Sequence, residues 1–251
     1  MSKQYSIKRS ARQTNNDLKE YYDEAYTIKD VRKDPSMFML KLATKLRRFN
    51  TPQDNILFNL LTPSNRLLDL GCGDGTFALK AKNKYHEIYG IDISDQAVKL
   101  ALEKISNLED KNCFSFMVHD ADNGLPFEDS FFNSVVCDAV LEHMPYPPAL
   151  LKEIKRTLKP EGELILLIPN DAWIFYRLQY LIGKIPQSGA VNEMGIDWGH
   201  LHKFNKKMIV DLLCSLNYKV MAVTCSGIFA KWRKPWFTLL AVYIIIRAIK
   251  E

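Results

Sequence analysis

The chain has 251 residues, of which 47% are hydrophobic and 25% are charged. This balance is ordinary for a globular domain and excludes a chain that is disordered over most of its length. The formal net charge of +5 is mildly basic, so it allows an acidic substrate, a membrane surface or RNA as a partner and requires none of them.

The cysteine content argues against a disulfide framework and against a zinc site. The chain has five cysteines, an odd number, and they are scattered without a CxxC pair. This usage fits a reducing compartment. The start of the chain, MSKQYSIKRSARQTNNDLKE, lacks the apolar core of a secretory signal. We therefore expect a cytoplasmic protein.

Strands and helices alternate along most of the chain. The first 15 or so residues are polar and basic, and residues 16–60 have loosely helical spacing. From Asn65 the pattern predicts five strands: RLLDL, EIYGIDI, CFSFMVHD, part of FFNSVVCDAVL, and ELILLIPN. Helices are predicted at FALKAKNKY, at SDQAVKLALEKISNL with Ser94 as its cap, and at PPALLKEIKRTL. Such alternation predicts an α/β fold with helices on both faces of a mostly parallel sheet.

The C-terminal part predicts a helix, FNKKMIVDLLCSLNY, and two further strands, YKVMAVTC and AVYIIIRAIK. No helix is expected between these strands, only a turn near residues 232–238, so they are predicted to pair as an antiparallel hairpin. The apolar run WFTLLAVYIII has 11 residues, whereas a membrane-crossing helix needs roughly 20. We interpret it as a buried strand with its approach, and interfacial membrane contact is the alternative.

A glycine-rich loop follows the first strand in LLDLGCGDGTFALKA. Glycines at a strand–helix turn let a ligand touch the backbone, because no Cβ intervenes. A dinucleotide fingerprint would place its third glycine where this chain has Thr76, and the Gly-Lys-Ser/Thr ending of a phosphate loop is absent. Asp69 would also repel a phosphate. The loop therefore predicts a ligand without phosphate at this point, either cationic or bearing an amino group.

Two further carboxylates stand at strand ends. Asp92, at the end of the second strand, is placed to accept hydrogen bonds from both hydroxyls of a ribose. Asp120, after the third strand, is placed to accept from an adenine amine. Ribose, adenine and an amine-bearing tail are the parts of S-adenosylmethionine. Capping or turn duty is the structural alternative for Asp69 and Asp120.

The stretch from Arg66 to Asn170 resembles the class I S-adenosylmethionine-dependent methyltransferases. DLGCGDG matches the acidic-x-Gly-x-Gly-x-Gly loop, YGIDIS the ribose-binding strand end, and HDADNGLPFEDSFFNSVVC the adenine-side segment. LEHMPYPPALLKEIKRTLKPEGELILLIPN resembles the helix–turn–strand that follows. The resemblance implies a Rossmann-like seven-stranded sheet, mostly parallel, with an antiparallel last strand. It also implies S-adenosylmethionine as cofactor, with contacts from Asp69, Gly71, Cys72, Gly73, Asp92, Ile93, Asp120, Ala121 and Asp138.

The candidate catalytic residues are His143 and His200. His143 follows the fourth strand, beside the expected methyl group, and is interpreted as a base or an orienting group; a helix-cap or packing histidine is the alternative. His200, in DWGHLHKF with His202, is expected to fold over the same pocket, or else to be structural. LEH also resembles the quinone-pathway O-methyltransferases, in which a further glutamate joins the Glu-His pair at a metal. That position is Ala139 here, so no metal is predicted.

The predicted organisation has four parts. Residues 1–60 form a helical cap, 61–170 the cofactor-binding core, 171–205 an aromatic lid or insertion, and 206–251 the helix and hairpin that complete the sheet. The insertion contains Trp173, Phe175, Tyr176, Tyr180 and Trp198. A lid over an organic substrate and a surface or dimer contact are the two interpretations. YYDEAY near the N-terminus is expected to close the cofactor pocket from the opposite side or to pack as a helix.

These features predict an enzyme that transfers a methyl group to an oxygen or nitrogen of a small organic acceptor. An RNA methyltransferase is the second hypothesis, because KLATKLRRF and AKWRKPW are basic runs. A non-catalytic protein that keeps the fold is the third. Nucleic acid is not the expected partner, and peripheral membrane contact and a homodimer stay open.

Overall fold

The computed structural model describes residues 19–20, 22–23, 26–27, 53–186, 200–226 and 233–251. The described residues form one seven-stranded sheet. Its strands are β1 (Ser64–Leu70), β2 (Tyr85–Asp92), β3 (Phe114–Val118), β4 (Phe132–Asp138), β5 (Leu158–Pro169), β6 (Tyr218–Ser226) and β7 (Tyr243–Lys250). Each strand predicted from the sequence is present.

From Gln53 onward, seven α-helices flank or connect these strands among the described residues. They are α1 (Gln53–Leu60), α2 (Thr76–Ala81), α3 (Asp95–Ile105), α4 (Pro147–Thr157), α5 (Ile174–Leu181), α6 (Lys206–Ser215) and α7 (Arg233–Leu240). Ser94 caps α3 as predicted, because its hydroxyl oxygen accepts a hydrogen bond from the Ala97 amide at 3.1 Å. Asn205 caps α6 in the same way through the Met208 amide.

The strand order is β3-β2-β1-β4-β5-β7-β6. Strands β1 to β5 are parallel neighbours, and β7 lies antiparallel between β5 and β6. The predicted mostly parallel sheet with an antiparallel last strand is therefore confirmed. The order reverses between β1 and β4, and in open α/β sheets ligands bind outside the carboxyl ends of the strands at such a point.

The connection between the last two strands differs from the prediction. A turn was expected there, but Arg233–Leu240 forms a helix of 8 residues with a kink at Trp236. The apolar run that includes Phe237 is therefore partly helix and partly β7. No helix among the described residues is long and apolar enough to span a membrane.

Both faces of the sheet are buried, which is why its strands have apolar residues at consecutive positions. Successive side chains point to opposite faces and join different cores. Leu68, Leu166 and Ile246 belong to one core, and their neighbours Leu67, Ile165 and Ile245 belong to the other. All six are almost completely inaccessible to solvent.

A buried polar network closes the edge of the sheet where the parallel strands begin. Glu163 on β5 accepts hydrogen bonds from the Thr62 amide at 2.9 Å, from the Ser134 hydroxyl at 3.0 Å and from Arg247 Nε at 2.8 Å. Tyr85 on β2 donates to Ser134 at 2.8 Å. The network joins β2, β4, β5, β7 and the segment before β1, at the edge opposite the strands' carboxyl ends.

Candidate active site

A cavity of about 320 Å³ opens at the carboxyl ends of β1, β2 and β4. This volume lies at the lower end of the range of roughly 300–1,000 Å³ for small-molecule sites. Of the residues predicted from the sequence, seven line it: Gly71, Asp92, Ile93, Asp120, Ala121, Asp138 and His143. Asp69, Cys72, Gly73 and His200 are not among the lining residues.

The glycine loop is held tightly between β1 and its neighbours. The Gly71 amide donates to the Ile91 carbonyl at 2.8 Å, and Gly71 has a φ of 74°. A Cβ at Gly71 would overlap the side chain of Val140, and one at Gly73 would meet the Tyr26 hydroxyl. The two positions therefore require glycine for both conformation and space. Gly71 exposes bare backbone to the cavity, whereas Gly73 is covered by Tyr26.

Asp92 is fixed at the rim of the cavity by two backbone donors. One carboxylate oxygen accepts from the Gly73 amide at 2.9 Å and the other from the Ser94 amide at 2.9 Å. Burial raises the pKa of Asp92 even though these hydrogen bonds oppose the shift. A carboxylate can accept about four hydrogen bonds, so Asp92 has capacity left for a ligand's hydroxyls.

Two further carboxyls are buried with an oxygen that has no hydrogen-bond partner among the described residues: Asp69 Oδ2 and Asp138 Oδ1. Burial raises the pKa of Asp69 to about 8, and Asp138 and Asp92 add to the shift. Burial likewise raises the pKa of Asp138 to about 7. An unpaired buried carboxyl oxygen needs either a proton or a cation. Of the two residues Asp138 lines the cavity, so a positively charged group would be suited to that wall.

Two other predicted cofactor residues, Asp120 and Cys72, have structural roles in the fold. Asp120 accepts from the Asp122 amide at 3.0 Å and from the Asn123 side chain at 3.2 Å, which is the capping geometry considered as its alternative role. Cys72 is 6% exposed and packs in a core. Burial raises the pKa of the Cys72 thiol, so it is not an activated nucleophile.

An N-terminal segment closes the cavity from the side opposite the sheet. Tyr22 and Tyr26 both line it, as the sequence predicted for YYDEAY. Asp23 fastens this segment to the start of α3, because one carboxylate oxygen accepts from the Ser94 hydroxyl at 2.5 Å and from the Gln96 amide at 3.1 Å. The sequence analysis missed Asp23, since no local pattern connects it with Ser94.

The far wall of the cavity follows β4. Ala139 has a φ of 53°, a strained conformation for a residue with a side chain, and it turns the chain into the short helical turn Leu141–His143. His143 Nε2 lies 3.3 Å from the Tyr22 hydroxyl. The ring centroids of His143 and His200 are 4.9 Å apart, so the two predicted histidines do come together although only His143 lines the cavity.

Glu142 lies between these histidines and the core. It is completely buried, and neither carboxylate oxygen has a hydrogen-bond partner among the described residues. His200 Nε2 is 3.9 Å from Glu142 Oε1. Burial raises the pKa of Glu142 to about 8, with Asp138 and Asp171 adding to the shift. The LEH motif contained this residue, but the absence of a carboxylate at Ala139 led the sequence analysis to leave it out of the site.

The insertion is described only over residues 171–186 and 200–205. Trp173 packs against Phe175 and Tyr176, with ring centroids 4.7 Å and 5.4 Å away, and Tyr180 is 51% exposed. None of these four aromatics is among the residues that line the cavity. Trp198 lies outside the described residues. The aromatic lid stays a prediction.

Comparison with known proteins supports a methyltransferase domain. Residues 68–166 match the family model described as "Methyltransferase domain". A ubiquinone biosynthesis O-methyltransferase from Xanthomonas oryzae is 31% identical over 105 residues, which are 42% of this chain and 43% of that relative. The chain thus matches less than half of that curated relative's length.

Solved structures with this fold cover more of the chain. A methyltransferase from Methanosarcina mazei is 26% identical, with a TM-score of 0.60, and the match covers 78% of this chain and 96% of that one. The cyclase SpnF has a TM-score of 0.59 at 18% identity, covering 79% of each chain. The second likeness concerns the fold alone.

The sheet order, the glycine loop and these matches are typical of the class I S-adenosylmethionine-dependent methyltransferases. Residues 68–166 of this chain are its methyltransferase domain. S-adenosylmethionine is the cofactor of that class, and the residues fit it: bare backbone at Gly71, a fixed carboxylate at Asp92, and buried unpaired carboxyls for a cationic ligand.

Proposed function

We propose that the chain transfers a methyl group from S-adenosylmethionine to an oxygen or nitrogen of a small organic acceptor. The observation that carries the proposal is the Asp92 carboxylate, held by two backbone amides beside the bare backbone of Gly71 at the reversal of strand order. The fold by itself is not enough, because one fold hosts unrelated reactions and SpnF is a cyclase.

In this proposal each cofactor-binding residue has a distinct task. Asp92 accepts from the ribose hydroxyls, with Ile93 beside it, and Asp120 and Ala121 meet the adenine. Asp69 and Asp138 lie on the side of the tail's amino group, whose positive charge would favour their ionised forms. Gly71, Cys72 and Gly73 contribute backbone.

S-adenosylmethionine supplies a methyl group on a cationic sulfur, which a nucleophile displaces in line. The chain's own contribution is then to orient the two reactants and to exclude water. Tyr22 and Tyr26 serve the second purpose, since they cover the cavity. His143, with His200 behind it, is proposed to orient the acceptor beside the methyl group.

The proposal also covers the acceptor atom, the roles of the four parts of the chain and the cellular compartment. Oxygen is the preferred acceptor atom, since the curated relative is named an O-methyltransferase. Residues 1–60 act as the cap, 61–170 as the cofactor-binding core, 171–205 as the acceptor-side lid and 206–251 as the completion of the sheet. The protein is proposed to work in the cytoplasm. Of the basic runs that suggested RNA, KLATKLRRF lies outside the described residues and AKWRKPW lies partly outside them.

Calorimetry with S-adenosylmethionine tests the cofactor site. Asp92→Ala is expected to weaken binding by about 1–3 kcal/mol, because the ligand's hydroxyls lose a buried acceptor. Asp110→Ala is the matched control, since Asp110 is half exposed and pairs with Lys82 on the surface. Equal affinities in the two variants would show that Asp92 does not hold the cofactor.

Transfer of a labelled methyl group tests the reaction. Radiolabel from S-adenosylmethionine is expected in the small-molecule fraction of a metabolite extract and not in RNA. His143→Ala is expected to lower that transfer roughly a hundredfold while cofactor affinity is kept, because misplacing one reactant costs about this much. Label in RNA, or none in either fraction, would contradict the proposal.

A further inference from the structure

Glu142 is a buried acid next to two histidines. Its side chain has no exposed surface, and both carboxylate oxygens lack a hydrogen-bond partner among the described residues. A buried carboxylate in that condition is costly unless a proton or a cation compensates it. Proteins pair or coordinate buried charges, so this position calls for a partner.

The segment that carries His200 is fastened to Glu142 by backbone hydrogen bonds. The Glu142 carbonyl accepts from the Leu201 amide at 2.9 Å and from the His202 amide at 3.1 Å. These bonds connect the turn after β4 with the segment before α6 next to the two histidines. Backbone hydrogen bonds therefore hold the two segments that carry the three side chains next to each other.

Three donor groups converge at this point. One ligand atom each from Glu142, His143 and His200 lies within 4.8 Å of the others. Ligands of a tetrahedral zinc ion, with bonds of about 2.1 Å, lie about 3.4 Å apart. The three atoms are within 4.8 Å of one another, so binding an ion would require them to move closer together. His200 Nε2 and Glu142 Oε1, at 3.9 Å, are too far apart for a direct hydrogen bond but leave room for an ion between them.

We propose that Glu142, His143 and His200 form a divalent metal site of the zinc type. Two imidazoles and one carboxylate favour zinc over magnesium, which prefers oxygen ligands. Three protein ligands also leave an open coordination position, as in catalytic zinc sites. His200 supplies the third ligand in place of the missing carboxylate at Ala139. Because Ala139 stands where the quinone-pathway enzymes have a further glutamate, the sequence analysis predicted no metal, and this proposal replaces that expectation.

The inference deepens the proposed function and rests on it in one respect only. His143 lines the cavity, so the ion's open position would face the acceptor side. Metal binding itself requires neither cofactor nor acceptor. The site is therefore measured on the full chain alone, and its outcome is independent of methyl transfer.

Calorimetric titration of the chelator-treated full chain with Zn²⁺ tests the proposal. Binding of one ion per chain is expected, and Glu142→Gln and His200→Ala are each expected to weaken it at least tenfold. His202→Ala is the matched control, because His202 lies two residues along the same segment and its Nε2 is 3.3 Å from the Pro145 carbonyl oxygen. Circular dichroism checks that every variant is folded.

Cobalt substitution separates this site from binding to the chain's cysteines. Co²⁺ on nitrogen and oxygen ligands is expected to give visible d–d absorption without a thiolate charge-transfer band. Failure of the folded chain to bind Zn²⁺, unchanged binding in His200→Ala, or a thiolate band would each overturn the metal site. Methyl transfer by a chain that binds no metal would overturn it and keep the proposed function. Metal binding without methyl transfer would support the metal site and contradict the proposed function.

Discussion

Asp69 has a pKa far from the ordinary value of an aspartate because of its surroundings in the fold. It is 2% exposed, and burial raises its pKa from an ordinary 3.8 to about 8, with Asp138 and Asp92 adding to the shift. Between these values the folded chain holds a proton on Asp69 that the unfolded chain has released. The contribution of Asp69 to stability is therefore full below the lower value and is lost as the pH rises toward about 8.

Asp69→Asn is expected to remove this part of the pH dependence. Asparagine is neutral at every pH, so the variant should gain stability relative to the wild type as the pH rises, by at most about 1.4 kcal/mol per pH unit. Urea unfolding of the cofactor-free chain, followed by circular dichroism over a pH series, measures the difference. Asp110→Asn is the control, because its surface pairing with Lys82 lowers the pKa of Asp110. A constant difference across the series would mean that Asp69 is charged in the fold.

At the scale of elements, the N-terminal segment depends on one carboxylate for its place. Asp23 accepts from the Ser94 hydroxyl and the Gln96 amide, at the positive end of the α3 dipole. Lys19 adds a surface ion pair with Asp95 at 2.8 Å. This arrangement keeps Tyr22 and Tyr26 over the cavity.

Asp23→Ala is expected to weaken S-adenosylmethionine binding severalfold, because the two tyrosines lose the anchor that holds them over the site. Core stability should fall by no more than about 1 kcal/mol, the usual effect of one partly exposed hydrogen-bonded group. Calorimetry measures the affinity and thermal unfolding the stability. Glu20→Ala changes an exposed acid of the same segment and is the control. If both variants bind the cofactor alike, the segment has no part in holding it.

The whole molecule is held at its other edge by Glu163. This residue is 5% exposed and joins β5 to β4, to β7 and to the segment before β1. The acceptor capacity of one carboxylate is shared by groups from three other parts of the chain. No ligand-binding residue of the proposed site takes part in the network.

Glu163→Gln is expected to destabilise the fold by about 2–4 kcal/mol, because Arg247 loses its charge partner and an amide replaces an acceptor. Glu87→Gln breaks the half-exposed pair with Arg66 and is expected to cost no more than about 1 kcal/mol. Chemical unfolding compares the two. Cofactor affinity of folded Glu163→Gln should equal that of the wild type, and a loss of affinity would contradict the separation of stability from the site.

Local sequence was sufficient for the sheet, for most helices and for the glycine loop. The strands are apolar runs, Ser94 is a helix cap, and Gly71 and Asp92 stand at strand ends, so periodicity and turn chemistry identify them. The helix α7 was missed because its apolar residues merge with those of β7. The proximity of the loop to Asp92 could be predicted because parallel strands bring their carboxyl ends to one edge.

Only the tertiary structure decided which distant side chains meet. Tyr22 and His143 are 121 residues apart in the sequence but lie in contact. Glu142, in the turn after β4, lies close to His200, in the segment before α6, and no local sequence pattern relates the two. The same holds for Asp23 at Ser94 and for Arg247 at Glu163. Periodicity reports which face of an element is buried, whereas these contacts depend on how whole elements pack, and packing is a property of the complete chain.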